Sequence, residues 1–255
     1  MDTPPYVDGH SLLAGKHVLV TAAAGTGIGF ATAKRCVEEG ARVVVSDAHE
    51  RRLGEAAESL GAGVAASVVC DVTDERQVQS MFTSAVDATG GIDIVVNNAG
   101  LGGTASVVDM TDEQWSKVLD VTLNGTFRCM RAALRHFRPR GSGVIVNNAS
   151  VLGWRAQAGQ AHYAAAKAGV MALTRCAAIE AAEFGVRVNA VAPSIAMHPF
   201  LAKVTTDELL EELTSREAFG RAAEPWEVAN VIVFLASDYS SYMTGEIVSV
   251  SSQHP

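Results

Sequence analysis

Short apolar runs alternate with helix-like segments along nearly the whole chain, and this alternation limits the possible folds more than any other feature. Seven of the runs are predicted to be strands, at residues 17–21, 42–47, 64–71, 92–98, 144–149, 186–191 and 246–250. Between them, apolar residues recur at helical spacing, as in 30–39, 49–60 and 111–137. The alternation predicts a doubly wound α/β fold, with a parallel sheet covered by helices on both faces.

No stretch of linker-like composition interrupts this alternation, so residues 1–255 are predicted to form one domain. Residues 1–16 are polar and contain two prolines, which predicts a loose N-terminal arm. The irregular stretch 194–223, with a short helix near 206–213, is predicted to be the substrate loop. A capping-box pattern at 73–76 predicts the start of a further helix.

The composition is that of a folded protein without a polyanionic partner. Of 255 residues, 48% are hydrophobic and 19% are charged, which suits a chain with a sizeable core. The formal charge of −8 argues against nucleic acid or an anionic membrane as a partner. No apolar run reaches the length of a membrane span, and no apolar leader opens the chain. The four cysteines and seven histidines are scattered along the chain, so no metal site is predicted. The cysteines are predicted to be reduced and to lie in or near the core of a cytoplasmic protein.

A glycine-rich turn joins the first predicted strand to the first predicted helix, with the sequence Gly25-Thr26-Gly27-Ile28-Gly29. Glycine permits positive φ, and the missing Cβ lets a pyrophosphate approach the backbone N–H groups at the helix N-terminus. A glycine triplet alone also fits an ordinary tight turn. Its position within the first strand–helix–strand unit predicts a dinucleotide-binding loop.

Asp47 ends the second predicted strand, 18 positions after Gly29. An acid in this place hydrogen-bonds the adenosine ribose hydroxyls and repels a 2′-phosphate, so we expect NAD rather than NADP as the cofactor. Two alternatives stay open. Asp47 could only cap the following helix, and Arg51 and Arg52 could turn towards a 2′-phosphate.

Three further side chains carry the predicted chemistry: Ser150, Tyr163 and Lys167. Tyr163 and Lys167 are four residues apart in a helix-like run, so both project from one helix face. A nearby ammonium favours the phenolate, which predicts a Tyr163 pKa lowered towards neutral and a role in proton transfer. Ser150 ends a strand-like run and could hydrogen-bond the same substrate oxygen. Taken alone, the Tyr–Lys spacing occurs often by chance.

With these parts placed, the sequence resembles the short-chain dehydrogenase/reductase family in its short single-domain form, over about residues 17–250. The motifs that carry the resemblance are Thr21 with the glycine turn, Asp71-Val72, Asn97-Asn98-Ala99-Gly100, Ser150, Tyr163-x-x-x-Lys167, Asn189-x-Val191-x-Pro193, Arg221, Glu224-Pro225, 234–237 and 242–245. The family implies a seven-stranded sheet in the order 3-2-1-4-5-6-7. It also implies a homotetramer or homodimer that pairs two long helices, which here are rich in small residues. Packing of those residues on the protein's own sheet is the alternative.

The resemblance also implies how the cofactor is bound. Asp71 and Val72 would contact adenine, 98–100 would line the ribose, and the backbone after Pro193 would hold the carboxamide. With the residues above, the cofactor-binding set is Gly25, Thr26, Gly27, Ile28, Asp47, Asp71, Val72, Asn98, Ala99, Gly100, Thr122, Tyr163, Lys167, Pro193, Ala196 and His198. The catalytic set is Ser150, Tyr163 and Lys167.

The sequence departs from the family pattern at four places. Ala22 replaces a glycine and the turn is shifted by one residue, so the loop must bulge, with Gly25 supplying the turn. Thr122 replaces the catalytic Asn, and we expect its carbonyl to serve the proton relay behind Lys167, with the neighbouring Asn124 on the surface. His198 replaces a Thr at the carboxamide, and the usual C-terminal Asp-Gly-Gly is absent.

The predicted function is transfer of a hydride between NAD and a secondary alcohol or ketone. Apolar residues near the predicted site, Val151, Leu152, Trp154 and Phe200, with few basic ones, Arg155 and Lys203, favour a bulky apolar substrate. The turn, the loop and the C-terminal end resemble a bacterial subgroup of steroid-ring breakdown, which implies hydroxylated steroid fragments or hydroxyacyl thioesters of coenzyme A. A non-catalytic NAD(H)-binding sensor is the alternative. Enoyl reduction is disfavoured, because in this family it normally goes with a wider Tyr–Lys spacing.

Overall fold

The seven predicted strands form one parallel sheet in the computed structural model, which describes residues 3–197 and 207–253. The spatial order is β3-β2-β1-β4-β5-β6-β7, which confirms the predicted fold. The strands are β1 His17–Thr21, β2 Arg42–Asp47, β3 Val64–Val69, β4 Ile94–Asn97, β5 Gly143–Asn148, β6 Val186–Pro193 and β7 Ile247–Val250. Because all are parallel, their carboxyl ends lie at one edge of the sheet, where open α/β sheets bind ligands.

Helices cover both faces of this sheet. They are α1 Ile28–Glu38, α2 Glu50–Leu60, α3 Glu75–Thr89, α4 Asp112–Leu119, α5 Gly125–Phe137, α6 Ala161–Ala182, α7 Asp207–Ser215 and α8 Pro225–Ala236. Alternate residues of each strand point to opposite faces. In β1, Leu19 packs against α3, α5 and α6, whereas Val18 and Val20 pack against α1, α2 and α8. The runs that read as continuously apolar are therefore buried on both sides.

Local hydrogen bonds set where the helices begin, and one prediction changes as a result. The predicted capping box at 73–76 is wrong, because α3 starts from Asp74, whose side chain accepts a hydrogen bond from the Arg76 N–H at 2.8 Å. A capping box forms instead at Thr111 and Gln114, before α4. Several polar side chains near the start of a helix can accept its first N–H groups, so the residue that best matches a sequence motif is not always the N-cap.

The predicted long helix over 111–137 is interrupted by a π-helical segment at Asp120–Asn124. This wider turn inserts one extra residue between α4 and α5, a device that often marks functional sites. It buries the Thr122 side chain completely and leaves Asn124 on the surface, where it hydrogen-bonds Asp120. The interruption therefore turns Thr122 inwards, towards the segment that follows β4.

The N-terminal arm is anchored rather than loose over its described residues, which corrects the prediction. The buried Arg35 guanidinium donates to the Val7 carbonyl at 2.9 Å and pairs with Glu39 at 2.8 Å. The Glu39 carboxylate in turn accepts the backbone N–H groups of His10 and Leu12. A buried ion pair needs further hydrogen bonds to satisfy its remaining groups, and the backbone of the arm provides them.

The predicted core or near-core placement of the cysteines is right for three of the four. Cys36, Cys70 and Cys129 are buried, and burial raises the pKa of Cys36 and of Cys70 to about 12. Cys176 is exposed on α6, which corrects the expectation for that residue. All four are free thiols.

Candidate active site

Ser150, Tyr163 and Lys167 meet at the carboxyl edge of the sheet. Ser150 follows the end of β5 and caps a short turn, its hydroxyl accepting the Leu152 N–H at 3.2 Å. Tyr163 and Lys167 lie in the first two turns of α6, as the spacing predicts. Tyr163 is half-buried and hydrogen-bonds Ser150. The two hydroxyls that would face a substrate oxygen are therefore neighbours.

The ammonium of Lys167 is buried behind this pair. Its Nζ donates to the Asn148 carbonyl at 2.5 Å and lies 5.5 Å from the centre of the Tyr163 ring. Gly100 faces it, and a Cβ there would lie 3.5 Å from Nζ. Desolvation disfavours the charged form, so burial lowers the Lys167 pKa to about 8. Lys167 therefore combines a buried position with a hydrogen bond to the strand that leads to Ser150.

The predicted lowering of the Tyr163 pKa towards neutral is wrong for this arrangement. Burial of the phenol raises the pKa of Tyr163 to about 12, and the hydrogen bond from Ser150 opposes this only in part. The expected Coulomb attraction is weak because Lys167 directs its Nζ to the Asn148 carbonyl. Tyr163 therefore keeps its proton at neutral pH, which is the form that a general acid needs.

The buried Lys167 predicts a pH-dependent stability. Its pKa falls from 10.5 to about 8 on folding, so between these values the unfolded chain binds more protons and stability rises with pH. From pH 8 to pH 9, we expect the free energy of unfolding of the wild type to gain about 1 kcal/mol relative to that of Lys167→Met. Denaturant unfolding of both proteins at the two pH values measures this. An unchanged difference would show that Lys167 titrates normally.

The glycine turn has an open side and a closed side. Gly25 has φ +88°, and a Cβ there would have no neighbouring atom within 4 Å, whereas a Cβ on Gly29 would lie 2.2 Å from the Ala22 carbonyl oxygen. Ala22 itself has φ +50°, so the residue in place of the family's glycine adopts a left-handed conformation. The loop does bend at Gly25, as predicted, but Ala22 contributes a second bend.

Gly29 should be the least replaceable residue of this turn. Gly29→Ala would force α1 away from β1, because the clash is with backbone oxygen and with the Asn98 amide. We expect a loss of about 1–3 kcal/mol in the free energy of unfolding and NADH binding weakened about tenfold or more as the turn deforms. Gly25→Ala is a useful comparison, because it strains only the local φ. Equal stability of Gly29→Ala and the wild type would contradict the close packing.

Asp47 borders the glycine turn and does not cap the following helix. At the end of β2, its carboxylate accepts the His49 N–H at 2.9 Å and the Ala24 N–H of the glycine turn at 3.2 Å. The N-cap of α2 is His49, and no side chain makes a cap hydrogen bond there. Of the two roles that were open for Asp47, the helix cap is therefore not formed.

The residues implied for the adenine and ribose occupy the same edge. Asp71 lies in a turn in which its carboxylate accepts the Thr73 N–H and hydroxyl, and Val72 is buried against Gly125 of α5. Asn98 connects β1, β4 and β5, since its side chain bonds the Ala22 carbonyl and the Asn148 amide. Ala99 N–H donates to the Thr21 hydroxyl.

Asn148 contacts two of the predicted site residues but was not itself predicted. Its carbonyl receives Lys167 and its side chain holds Asn98, so it ties two predicted site residues together. A signal was present, because the apolar run of β5 ends in the polar pair Asn147-Asn148. Buried side-chain amides at the end of a strand need hydrogen-bond partners, so such a pair indicates contacts with neighbouring segments.

The contacts of Thr122 leave the relay through its carbonyl a prediction. The Thr122 hydroxyl bonds both the N–H and the carbonyl of Leu101, and its own carbonyl accepts the Thr126 hydroxyl at 2.8 Å. One acceptor position of that carbonyl is therefore already used. Thr122 fixes the segment after β4, and the carbonyl that directly contacts Lys167 belongs to Asn148.

The remaining predicted residues are placed as follows. Pro193 ends β6, and Ala196 is buried and paired with Ala223. Val151 is buried, as Ser150 and Lys167 are, whereas Trp154 is half exposed, at 51%. The predictions for His198, Phe200 and Lys203 lie outside the described residues. No helix in the described ranges is both long and apolar enough to cross a membrane.

Comparison with known proteins decides the family. A family model described as enoyl-(acyl carrier protein) reductase matches residues 22–252. A curated reductase of Mycobacterium tuberculosis, (5R,7aS)-5-hydroxy-7a-methyl-1-oxo-2,3,5,6,7,7a-hexahydro-1H-indene-carboxyl-CoA reductase, is 65% identical over 99% of this chain and 98% of its own. The crystal structure of a short-chain dehydrogenase from Mycobacterium smegmatis is 61% identical, covers 100% of this chain and 99% of its own, and superposes with a TM-score of 0.89.

The chain is a short-chain dehydrogenase/reductase. Another relative, a cis-4-hydroxycyclohexanecarboxylate dehydrogenase of Sinomonas cyclohexanicum, is 41% identical over 92% of this chain and 95% of its own. By their names, these curated relatives act on hydroxy or keto compounds. This short-chain dehydrogenase/reductase is therefore a catalytic oxidoreductase that uses a nicotinamide cofactor, and the sensor alternative is not supported.

The site fits that cofactor. The turn at Gly25 is open, the helix behind it has no acidic residue in its first turn, and Tyr163 and Lys167 lie beyond it on the same edge. A backbone cradle at a helix N-terminus is suited to a pyrophosphate. The glycine turn and Tyr163 therefore lie along one edge of the sheet.

Proposed function

We propose that this protein interconverts a ketone and a secondary alcohol on a bicyclic steroid-ring fragment, carried as a coenzyme A thioester, with NAD(H) as cofactor. The neighbouring hydroxyls of Ser150 and Tyr163 carry the chemical part of the proposal. The 65% identity over nearly the whole chain to the indene-carboxyl-CoA reductase supports the substrate class. The half-exposed Trp154, close after Ser150, offers an apolar surface that suits a ring system.

Each side chain has a definite part in ketone reduction. Tyr163, protonated at neutral pH, gives its proton to the ketone oxygen. Ser150 donates a hydrogen bond to the same oxygen and stabilises the negative charge that develops on it. Lys167, held by the Asn148 carbonyl, keeps a cation behind Tyr163 and binds the nicotinamide ribose. The nicotinamide supplies the hydride when bound. Alcohol oxidation is the reverse of these steps and needs the Tyr163 phenolate as the base, which the raised pKa of Tyr163 makes a minor form at neutral pH.

We propose NAD as the cofactor on the basis of Asp47. Its carboxylate borders the glycine turn through the Ala24 N–H, so a 2′-phosphate would meet a negative charge there. Gly25, Thr26, Gly27 and Ile28 would hold the pyrophosphate, and Pro193, Ala196 and His198 the carboxamide end. Arg51, which could favour a phosphate, is exposed and pairs with Glu55.

A homodimer or homotetramer formed through α4, α5 and α6 is also proposed. Ala165 of α6 and Phe127 of α5 are exposed and could meet a second copy. Only some of the small residues of these helices are available for such contacts, because three are buried in the protein's own core: Ala132, Ala133 and Ala166. We further propose that the protein acts in the cytoplasm, as the reduced cysteines suggest.

A substrate panel tests the proposed function. Purified protein is supplied with NADH or NADPH and with three ketone classes: bicyclic indanone carboxyl-CoA thioesters, straight-chain 3-oxoacyl-CoA thioesters and simple cyclic ketones. We expect kcat/KM to be highest for the bicyclic thioester with NADH. A preference for 3-oxoacyl thioesters would refute the substrate class, and a preference for NADPH would refute the role of Asp47.

A further inference from the structure

Arg155 lies next to the catalytic segment but has no place in the chemistry described above. It follows Ser150 by five residues, at the end of the short turn that leaves β5, and its backbone N–H donates to the Val151 carbonyl at 2.9 Å. Its side chain is half-buried. It is therefore a cation fixed beside the substrate edge of the sheet.

The partner of this guanidinium is a neutral group. Its Nη1 donates to the side-chain carbonyl of Gln253, and within residues 3–197 and 207–253 no carboxylate lies within ion-pair distance of it. By contrast, the comparably enclosed Arg128 and Arg221 both pair with acids. A half-buried cation loses part of its solvation, and one hydrogen bond to a neutral amide compensates less of that loss than an anion would. Arg155 has further N–H donors for such an anion.

Gln253 is held in place by the segment that precedes α8. Ser252 donates both its N–H and its hydroxyl to Glu217, at 3.1 and 2.8 Å, and its carbonyl accepts the Ala218 N–H at 2.8 Å. Glu217 is only 4% exposed, so this anchor is buried. The C-terminal residues after β7 thus form a fixed support that presents Gln253 to Arg155.

The strand order says which part of a substrate would reach this point. Asp47 ends β2, Ser150 follows β5, and Gln253 follows β7, so the contact lies on the side of Ser150 away from the adenine end. If the remaining atoms of a ketone held at Ser150 and Tyr163 extend away from the adenine end, they reach Arg155. In the proposed function those atoms include the carboxyl group and its coenzyme A.

We infer that Arg155 is a specificity-determining residue that binds an anionic oxygen group of the substrate, with Gln253 as the neutral support that this group joins or replaces. The inference rests on the proposed function for the identity of the substrate. A phosphate of coenzyme A and the carboxylate of a free acid share the chemistry that an arginine fork recognises.

Three forms of one substrate show whether Arg155 binds a phosphate of coenzyme A or a carboxylate. The bicyclic ketone is offered as its coenzyme A thioester, as its N-acetylcysteamine thioester, which carries no charge, and as its free acid. For Arg155→Gln we expect KM to rise about 10- to 100-fold for the anionic forms, with kcat little changed and the neutral thioester unaffected. Loss with the coenzyme A form alone identifies a phosphate, and loss with the acid identifies a carboxylate.

Two variants sharpen this comparison. Arg155→Lys should restore part of the affinity, and Arg42→Gln, which removes an exposed charge from the start of β2, should change nothing. Gln253→Glu would give Arg155 a carboxylate partner within the protein. It should therefore weaken the binding of the same anionic substrates although Arg155 itself is unchanged. If Arg155→Gln and Gln253→Glu affect the neutral and anionic forms equally, or affect neither, the inference is wrong.

A binding measurement keeps the inference independent of turnover. Coenzyme A alone and the bicyclic carboxylic acid alone are titrated calorimetrically into the wild type and into Arg155→Gln, both saturated with NADH. At least one ligand should bind the wild type about tenfold or more tightly than the variant. Equal binding of both ligands to both proteins overturns the role of Arg155. Failure of the wild type to reduce any bicyclic ketone would instead refute the proposed function.

Discussion

Replacement of Tyr163 by Phe is expected to reduce kcat for ketone reduction about 10²- to 10⁴-fold, the usual contribution of a positioned general acid. The substitution removes only the hydroxyl, and the ring keeps its place on α6 above Lys167. NADH binding should therefore remain nearly intact. Steady-state kinetics with a ketone substrate and a fluorescence titration with NADH measure the two effects separately.

The chain offers a matched control for this experiment. Tyr239 is 74% exposed, in the turn after α8, so Tyr239→Phe removes a phenol hydroxyl without touching the site. Its activity should equal that of the wild type. If Tyr163→Phe kept most of its activity, proton donation by Tyr163 would be wrong, and Ser150 would need to be examined as the donor.

Replacement of Asp47 by Asn is expected to shift the preference between NADH and NADPH by about 10- to 100-fold towards NADPH, because a like-charge contact with a 2′-phosphate costs several kcal/mol. Asp47 accepts these two N–H groups, those of His49 and Ala24, with different oxygens, and Asn has only one acceptor oxygen. We therefore expect Asn to keep the shorter bond from the His49 N–H and to lose the longer one from the Ala24 N–H. The ratio of kcat/KM for the two cofactors is the quantity to measure.

The exposed Asp87 of α3 provides the control for charge alone. Asp87→Asn changes the net charge by the same amount and should leave the cofactor ratio unaltered. If Asp47→Asn also left the ratio unaltered, selection against NADP would reside elsewhere. Arg51 and Arg52, at the start of α2, would then be the next residues to change.

Strand positions could be predicted from the sequence because burial on both faces leaves a continuous apolar run, as in β1. The sheet order came from the family resemblance and is confirmed. Features that depend on distant partners could not be predicted. The arm is held by Arg35 and Glu39, roughly 30 residues along the chain from their targets. The π segment at Asp120–Asn124 leaves the apolar periodicity intact, so the pattern gives no sign of it.

In the site, too, local features could be predicted and features that depend on distant contacts could not. The spacing of Tyr163 and Lys167 correctly places them on one helix face, because that depends only on the helical repeat. The direction of the Tyr163 pKa could not be predicted, since it depends on burial and on where Nζ points. Asn148 was missed because it acts through its backbone carbonyl, a group that every residue carries.

Transfer of a labelled hydride tests the central claim most directly. The wild type is incubated with a bicyclic keto thioester and with NADH that carries deuterium on the transferring carbon of the nicotinamide, and the product is analysed by mass spectrometry and NMR. Because an enzyme transfers only one of the two hydrogens on that carbon, both are replaced by deuterium. We predict a hydroxy thioester with one deuterium on the carbinol carbon, and little such product with Tyr163→Phe. Tight NADH binding without any deuterated alcohol, from this ketone or from the others of the panel, would contradict the catalytic role of Ser150, Tyr163 and Lys167.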